Sequence, residues 1–127
     1  MAAQLNHLIV RARDKEASAR FLAGILGIPV GAQWGPFVPV QVGEVTVDFE
    51  DATEIQPMHL AFLVTEDEFE AAYARLQEGG TPIYADPFRS RPGEINHLYG
   101  GRGVYFDDPD GHFFELITRP YGSSPEG

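Results

Sequence analysis

The chain has 127 residues, no cysteine and a formal net charge of −10, and 43% of its residues are hydrophobic. These values suit one globular domain and argue against nucleic acid or anionic membranes as partners, because both require a basic surface. Without cysteine, any metal would be held by His and carboxylate groups. No apolar run approaches the roughly 20 residues of a membrane span, and no signal-peptide pattern opens the chain. We therefore expect a cytoplasmic protein that acts on a small molecule.

The chain opens with an apolar run, residues 5–10, that carries His7 and predicts a strand. Asp14 is placed to cap a helix that ends before Gly27. The apolar stripe of this helix consists of Ala17, Phe21, Leu22 and Ile25. Short strands follow over residues 29–50, and their alternation places Thr46, Asp48 and Glu50 on the face opposite Val45, Val47 and Phe49.

The opening pattern returns after an acidic, aperiodic segment, residues 51–57, which we interpret as a linker. A second apolar run carries His59, and Thr65 with Glu68 forms a capping box before a helix that ends at Gly79. His59 follows His7 at an offset of 52 residues, and at that offset Gly27 meets Gly79. The chain is therefore predicted to be a duplicated unit of a strand, a helix and further strands.

The second copy ends in Asp108-Pro109-Asp110-Gly111, which predicts a tight turn between two strands. In the strand after the turn, Phe113, Glu115 and Ile117 share one face. His112 is expected on the other side, at the turn or the surface. A carboxylate in an apolar row is costly to bury alone, so Glu115 should have a partner.

The repeat supplies that partner, since each copy opens with a strand that bears a histidine. Two histidines and one carboxylate, His7, His59 and Glu115, have the composition of a facial triad for a first-row divalent ion. Taken singly, each histidine has an ordinary alternative as a hydrogen-bonded core or surface residue. Asp48 is a candidate first-copy counterpart of Glu115, as a fourth ligand, a general base or a solvated strand carboxylate, and Glu50 shares its face.

Taken together, these motifs resemble the vicinal oxygen chelate superfamily, which includes glyoxalase I, fosfomycin-resistance transferases, extradiol dioxygenases and bleomycin-resistance proteins. The resemblance covers residues 4–119 and is carried by Asn6-His7-Leu8, Met58-His59-Leu60 and the run from Tyr105 to Glu115. It implies an α+β fold of two βαβββ modules that form a cupped, partly closed mixed sheet, the glyoxalase-like fold. The expected organisation is module 1 (4–50), the linker (51–57), module 2 (58–119) and a mobile tail (120–127).

The resemblance also implies how the site is used. His7, His59 and Glu115 stand at the metal-ligand positions for one divalent ion, Fe, Mn, Ni, Co or Zn. Small members of the family are often homodimers, so His7 of one chain is expected to join His59 and Glu115 of the other. Tyr105, ten residues before the ligand glutamate, stands where several members carry a substrate-contacting tyrosine, although it could simply be a packed aromatic.

His97 lies in a Gly-bearing loop, residues 89–103, that could close as a lid and supply a proton donor, or could simply be polar loop surface. Two enzyme readings stay open: proton transfer by a glyoxalase-like or epimerase-like lyase or isomerase, and ring cleavage with O₂ by an extradiol-type dioxygenase. Fosfomycin-resistance chemistry is not favoured, because Arg119-Pro120-Tyr121 runs directly into a Gly/Ser tail. The alternative is a non-catalytic protein of the bleomycin-resistance type, in which Trp34 and Phe37 would line an acidic drug-binding groove.

Overall fold

The computed structural model describes residues 2–123 of the chain. The chain divides into two compact units, one up to residue 56 and one from residue 57 onward. Each unit has the order strand, helix, strands, and each contains one mixed sheet. The α+β fold of two βαβββ-like modules is thereby confirmed. None of the helices within residues 2–123 is long and apolar enough to cross a membrane.

The first unit contains a three-stranded sheet and one helix. Its sheet has the order β1-β3-β2, with β1 parallel to β3 and β2 antiparallel to it. The Asp14 side chain caps the helix by accepting hydrogen bonds from the amides of Glu16 and Ala17, each at 3.1 Å. Gly27 ends it in the left-handed conformation, φ 72°, as predicted. The elements are β1 (His7–Ala12), α1 (Lys15–Leu26), β2 (Phe37–Val42) and β3 (Val45–Asp51).

The segment between α1 and β2 does not form the regular fourth strand that a βαβββ module would have. It runs beside β2 with a hydrogen bond from the Gly31 amide to the Pro39 carbonyl at 2.9 Å, and a single bridge joins Trp34 to Phe37. Pro29 and Pro36 lack amide donors, so a continuous ladder cannot extend through this segment.

The second unit has a four-stranded sheet and one helix. Its strands have the order β4-β7-β6-β5, with β4 parallel to β7 and the other pairs antiparallel. The predicted capping box is present: the Thr65 amide donates to Glu68 Oε1 at 2.8 Å and the Glu68 amide donates to Thr65 Oγ1 at 3.1 Å. The elements are β4 (His59–Leu63), α2 (Glu66–Glu78), β5 (Ile83–Tyr84), β6 (Gly103–Asp107) and β7 (Phe113–Ile117).

Alternation along the strands of the first sheet gives it a buried core face and a second, less buried face. In the first sheet Val10, Val47 and Phe49 are buried, whereas Asp48 between the last two is half-buried.

One detail of α1 differs from the prediction. Phe21 is only half-buried, and Ser18 and Ala19 are buried instead, because small side chains let a helix approach a sheet closely.

The strand register makes the internal repeat explicit. Ile9 of β1 pairs with Asp48 of β3, and Ala61 of β4 pairs with Glu115 of β7. Ile9 and Ala61 each lie two residues after the histidine of their strand. Asp48 therefore occupies in the first unit the position that Glu115 occupies in the second, which confirms the predicted correspondence between the two carboxylates.

Two connections in the second unit position the site residues. The turn before β7 is closed by a hydrogen bond from the Gly111 amide to the Asp108 carbonyl at 3.1 Å. The buried Asn96 anchors the long loop, because its side-chain amide donates to the Ala85 carbonyl at 2.9 Å. In the predicted tail, Tyr121 packs against Tyr99, with ring centroids 5.6 Å apart. Residues 124–127 of that tail lie outside the described residues.

Candidate active site

Glu115 is the centre of the candidate site in the second unit. It lies in the middle of β7, opposite Ala61 of β4 and Tyr105 of β6, and its side chain is 11% exposed. Its Oε1 atom lies 3.0 Å from Nε2 of His59, and the Tyr105 hydroxyl forms a hydrogen bond with the same carboxylate. The partner that the sequence predicted for this carboxylate is therefore present twice, from the strands on either side.

The spacing of His59 and Glu115 suits two ligands of one metal ion. Imidazole and carboxylate ligands lie about 2.0–2.2 Å from a first-row divalent ion, so neighbouring ligands on the ion are roughly 3 Å apart. The observed separation of 3.0 Å between the nitrogen and the oxygen is compatible with that geometry, and it is equally the length of a hydrogen bond between the two atoms. The His59 side chain is 48% exposed, which leaves it accessible to an ion from solvent.

Tyr105 is held in its neutral form by its surroundings. Burial raises the pKa of its hydroxyl above the ordinary value, and the adjacent negative charge and hydrogen bond of Glu115 raise it further. Its ring lies 5.8 Å from the His59 ring, centroid to centroid. Tyr105 is consequently a hydrogen-bond donor toward this site and not a base.

Aromatic rings and one guanidinium group border the carboxylate. The Phe113 ring lies 5.4 Å from the Tyr105 ring and 6.1 Å from the Tyr84 ring, and the Arg89 guanidinium lies 3.9 Å from its centroid. Arg89 also forms an ion pair with Asp107, and the pKa of the guanidinium is raised mainly by this hydrogen bond. Sequence reasoning missed Arg89, which follows Phe88 in the irregular loop after β5 and carries no periodic signal.

The long loop contains Tyr99 as a further residue of interest for the site, beside the predicted His97. His97 is exposed and lies just before a short 3₁₀ turn, Leu98–Gly100. Tyr99 has a left-handed backbone, φ 58°, and is one of the groups that raise the pKa of Tyr105. A non-glycine residue with positive φ is uncommon and is often found at functional sites. The role of His97 stays a prediction.

The first unit carries the remaining predicted residues. His7 is exposed, and its Nδ1 atom lies 2.8 Å from Oδ1 of Asn6. If Nδ1 donates in this bond, Nε2 is left unprotonated and able to bind a metal. Asp48 shares the face of His7, and Glu50 on the same face forms an ion pair with Arg11 at 3.4 Å. This pair engages Glu50 and makes Asp48 the better candidate base.

Within residues 2–123, neither unit by itself gathers three or more His, Asp or Glu side chains that could hold a metal ion. The second unit brings together His59, Glu115 and Tyr105, while His7 and Asp48 belong to the first unit. The three-ligand site stays a prediction. Trp34 and Phe37, the aromatics considered for a drug-binding groove, stack on each other in the first unit, and Trp34 is 74% exposed.

His112 differs from the prediction in one respect. It precedes Phe113 and lies on the other side of the strand from Glu115, as expected from alternation. It is not at the surface, however, because its side chain is wholly buried and accepts a hydrogen bond from the Met58 amide. Alternation predicted only that His112 points away from Glu115, and a buried imidazole with a specific hydrogen-bond partner satisfies that prediction as well as a surface position does.

Residues 4–116 match the model of the Glyoxalase/Bleomycin resistance protein/Dioxygenase superfamily, and the chain belongs to this superfamily. A solved structure named oxidase ChaP-H2 is 56% identical, with a TM-score of 0.94, and the alignment covers 97% of this chain and 98% of that one. The predicted family is thus confirmed.

Two curated relatives carry transferase names. Glutathione transferase FosA of Serratia marcescens is 31% identical over 124 residues, which cover 91% of this chain and 81% of that protein. A metallothiol transferase FosB of Shouchella clausii is 42% identical over 60 residues, only 47% of this chain and 37% of that protein. The named relatives are therefore enzymes of two kinds, an oxidase and transferases.

Proposed function

We propose that the protein is a divalent-metal-dependent oxidase that binds a small substrate through two neighbouring oxygen atoms and uses O₂ as the oxidant. The observation that carries the proposal is the pair of His59 Nε2 and Glu115 Oε1 at 3.0 Å, on adjacent strands and at ligand spacing. The 56% identity to a chain named an oxidase favours oxidation over the proton-transfer chemistry of glyoxalase-like members.

His59 and Glu115 would hold the metal together with His7 as the third ligand. A histidine and carboxylate set that leaves coordination positions open is the donor set of non-haem Fe(II) oxygenases, and Fe is the metal we favour. When bound, the ion supplies Lewis acidity to the oxygen atoms of the substrate and a place for O₂. The residues of the chain supply orientation, proton positions and the exclusion of water.

Tyr105 would donate its hydroxyl proton in a hydrogen bond to an oxygen of the substrate beside Glu115. Burial and the Glu115 charge keep this hydroxyl protonated, so it stabilises negative charge on the substrate without competing as an anion. Phe113 and Tyr84 form an apolar wall next to it that would exclude water from one side of the substrate.

Asp48 is the proposed base, with His97 as a further proton donor from the loop. Its position in β3 is equivalent to that of Glu115 in β7 and lies on the sheet face that also carries His7, which supports the proposal. A half-buried carboxylate at such a position can accept a proton from a substrate hydroxyl.

The site is proposed to be completed in a homodimer, with His7 and Asp48 of one chain facing His59 and Glu115 of the other. Two facts support this arrangement: neither unit within residues 2–123 has three ligands of its own, and His7 is exposed. Leu5 and Leu63 are exposed apolar residues, 65% and 60%, that such an interface would cover.

A transferase is the second candidate, because the chain aligns with glutathione transferase FosA over 91% of its length. This activity would use the same ligands but would consume a thiol and no O₂. A sequestering protein of the bleomycin-resistance type would need no metal ligands, which is why we place it last.

Metal analysis of protein purified without chelator, followed by O₂ uptake, tests the proposal. We expect about one Fe or other first-row ion per chain, a loss of that metal in His59→Ala and Glu115→Gln, and O₂ consumption with members of a catechol panel. Glu44→Gln is the control, since Glu44 is an exposed carboxylate at the turn between β2 and β3.

The result that overturns the proposal is a wild-type protein without bound metal, or one whose metal content is the same in all three variants. Metal-loaded protein that consumes glutathione in the presence of an electrophile panel, and no O₂ with catechols, would instead support the transferase.

A further inference from the structure

We propose that His112 is a positioning residue for His59: its ring nitrogen fixes the Met58 peptide and thereby sets where the first residue of β4 stands relative to Glu115. The inference rests on the proposed role of His59 as a metal ligand. It assigns a purpose to a buried polar ring that neither the metal nor the substrate would touch.

The peptide that precedes His59 is held on both of its hydrogen-bonding groups. The Met58 amide donates to Nδ1 of His112 at 2.9 Å, and the Met58 carbonyl accepts from the Phe113 amide, also at 2.9 Å. The two partners are consecutive residues, His112 directly before β7 and Phe113 as its first residue. Met58 is therefore clamped to the same strand that carries Glu115, one residue before the histidine whose ring meets that carboxylate.

His112 is itself rigidly placed by the turn before β7. Its amide donates to Oδ1 of Asp108 at 2.8 Å, and its carbonyl accepts from the Asp108 amide at 2.9 Å. Its ring is wholly buried and nearly parallel to the Phe114 ring, with an interplanar angle of 8° and centroids 6.4 Å apart. A buried ring with a fixed backbone holds its acceptor atom at one point, which a mobile surface histidine would not do.

The internal repeat provides a comparison within the same chain. In the first unit Asn6 corresponds to Met58, and its carbonyl accepts from the Thr46 amide at 2.9 Å, as the Met58 carbonyl does from Phe113. The residue that corresponds to His112 is Val45, whose side chain has no hydrogen-bond acceptor. The second clamp is therefore an addition found at the copy whose histidine contacts a glutamate.

A clamp on the backbone matters here because His59 is the first residue of an edge strand, and the approach of its ring to Glu115 and Tyr105 depends on where that backbone lies. Its side chain is 48% exposed at the end of the outermost strand β4. Residues that support metal ligands from behind typically change metal affinity by about 10- to 100-fold when they are replaced. We expect His112 to act at this magnitude, through the Met58 peptide.

The test compares three substitutions of His112. In His112→Asn the amide oxygen takes nearly the place of Nδ1 and keeps an acceptor for Met58. His112→Gln presents its acceptor one bond farther along the side chain, and His112→Leu removes it. Leu76→Ala, in the core of α2, is the control for a loss of stability that does not touch Met58.

Three measurements are made on each variant at a temperature where urea titration shows it to be folded. The first two, in metal-free protein, are hydrogen exchange of the Met58 amide and the ring chemical shifts of His59. The third is the affinity for Co²⁺. We expect His112→Leu and His112→Gln to speed hydrogen exchange of the Met58 amide, to change the ring chemical shifts of His59 and to weaken Co²⁺ binding about 10- to 100-fold. His112→Asn and Leu76→Ala should retain the wild-type values of all three.

The proposal is overturned if His112→Gln and His112→Leu keep wild-type exchange and Co²⁺ affinity, or if His112→Asn loses as much as they do. If His112→Leu fails to fold, the comparison of His112→Asn with His112→Gln still tests the proposal. Wild-type protein that binds no Co²⁺ would contradict the proposed function instead, and the metal-free exchange and ring shifts would then decide the positioning role by themselves.

Discussion

Glu115 shows how one residue acquires chemistry from its neighbours on the two adjacent strands. A carboxylate that is 11% exposed would be costly to bury alone, but His59 on one side and Tyr105 on the other provide hydrogen bonds. The same arrangement gives the carboxylate a fixed direction. A ligand atom fixed before the metal arrives binds it with less loss of side-chain freedom.

Tyr105 carries a prediction about alkaline pH. Its pKa is higher in the folded protein than the ordinary value of about 10, so the folded state retains a proton that the unfolded state releases as pH rises. The stabilisation from Tyr105 is complete below pH 10 and is lost above it. We expect the difference in free energy of unfolding between wild type and Tyr105→Phe to be roughly 1 kcal/mol at pH 7.5 and smaller at pH 10.5.

Urea titrations of both proteins across that pH range measure the effect. Tyr73→Phe, which removes a hydroxyl from α2, is the matched control for the loss of a tyrosine. A stability difference between wild type and Tyr105→Phe that stays constant up to pH 10.5 would contradict the raised pKa.

Some site residues followed from the sequence and others did not. Glu115 and His59 were predictable because period-2 alternation and the 52-residue repeat place them on corresponding faces of strands. Arg89 was not, because its place over Phe113 depends on a left-handed backbone at φ 57° and on the path of an irregular loop. Periodicity contains no information about such a path.

At the scale of single elements, the ends of the helices were the most predictable features. Asp14, Gly27 and Thr65 act locally, through hydrogen bonds or backbone angles within a few residues, and each stands where the sequence placed it. The missing regular strand before β2 was less predictable. Whether an extended segment becomes a strand depends on the partner beside it, and here the hydrogen bonds are confined to Gly31 with Pro39 and to the bridge between Trp34 and Phe37.

Alanine substitutions at two glycines are expected to change the stability of the protein in opposite directions. Gly24 lies inside α1 with no atom within 4 Å of an added Cβ, so Gly24→Ala should stabilise the protein by about 0.5–1 kcal/mol through helix propensity. At Gly103, the first residue of β6, an added Cβ would lie 2.6 Å from Oδ1 of Asn96. Gly103→Ala should destabilise by about 1–3 kcal/mol, because Asn96 is buried and holds the loop.

Thermal unfolding of wild type, Gly24→Ala and Gly103→Ala measures whether each substitution raises or lowers stability. Gly103→Ala should also speed hydrogen exchange of the Leu98 amide, which donates to Asn96 at 3.2 Å. A neutral effect at Gly103 would mean that Asn96 moves aside without cost, and the loop would then not depend on it.

At the scale of the whole molecule, the proposed homodimer predicts complementation between two inactive variants. If His7 of one chain joins His59 and Glu115 of the other, a mixed dimer of His7→Ala and Glu115→Gln contains one intact site and one doubly broken site. Random exchange of chains makes half of the dimers mixed, so about a quarter of wild-type metal sites and activity should return.

Each variant alone should have no three-ligand site, and a mixture of Glu115→Gln with His59→Ala is the control. Those two ligands belong to the same half-site, so their mixed dimer has no intact site under either arrangement. A His7→Ala and Glu115→Gln mixture that stays without metal, after chain exchange has been shown by mass, would place all three ligands in one chain.

The sequence by itself determined the family, the duplicated α+β plan and the candidate ligands. These depend on local periodicity, on caps and on a repeat that can be read residue by residue. Only the tertiary structure decided which side chains meet: Glu115 with His59 and Tyr105, Arg89 over Phe113, and the buried His112 on the Met58 amide. Contacts between residues up to 56 positions apart depend on strand order and register, which chain-local patterns do not specify.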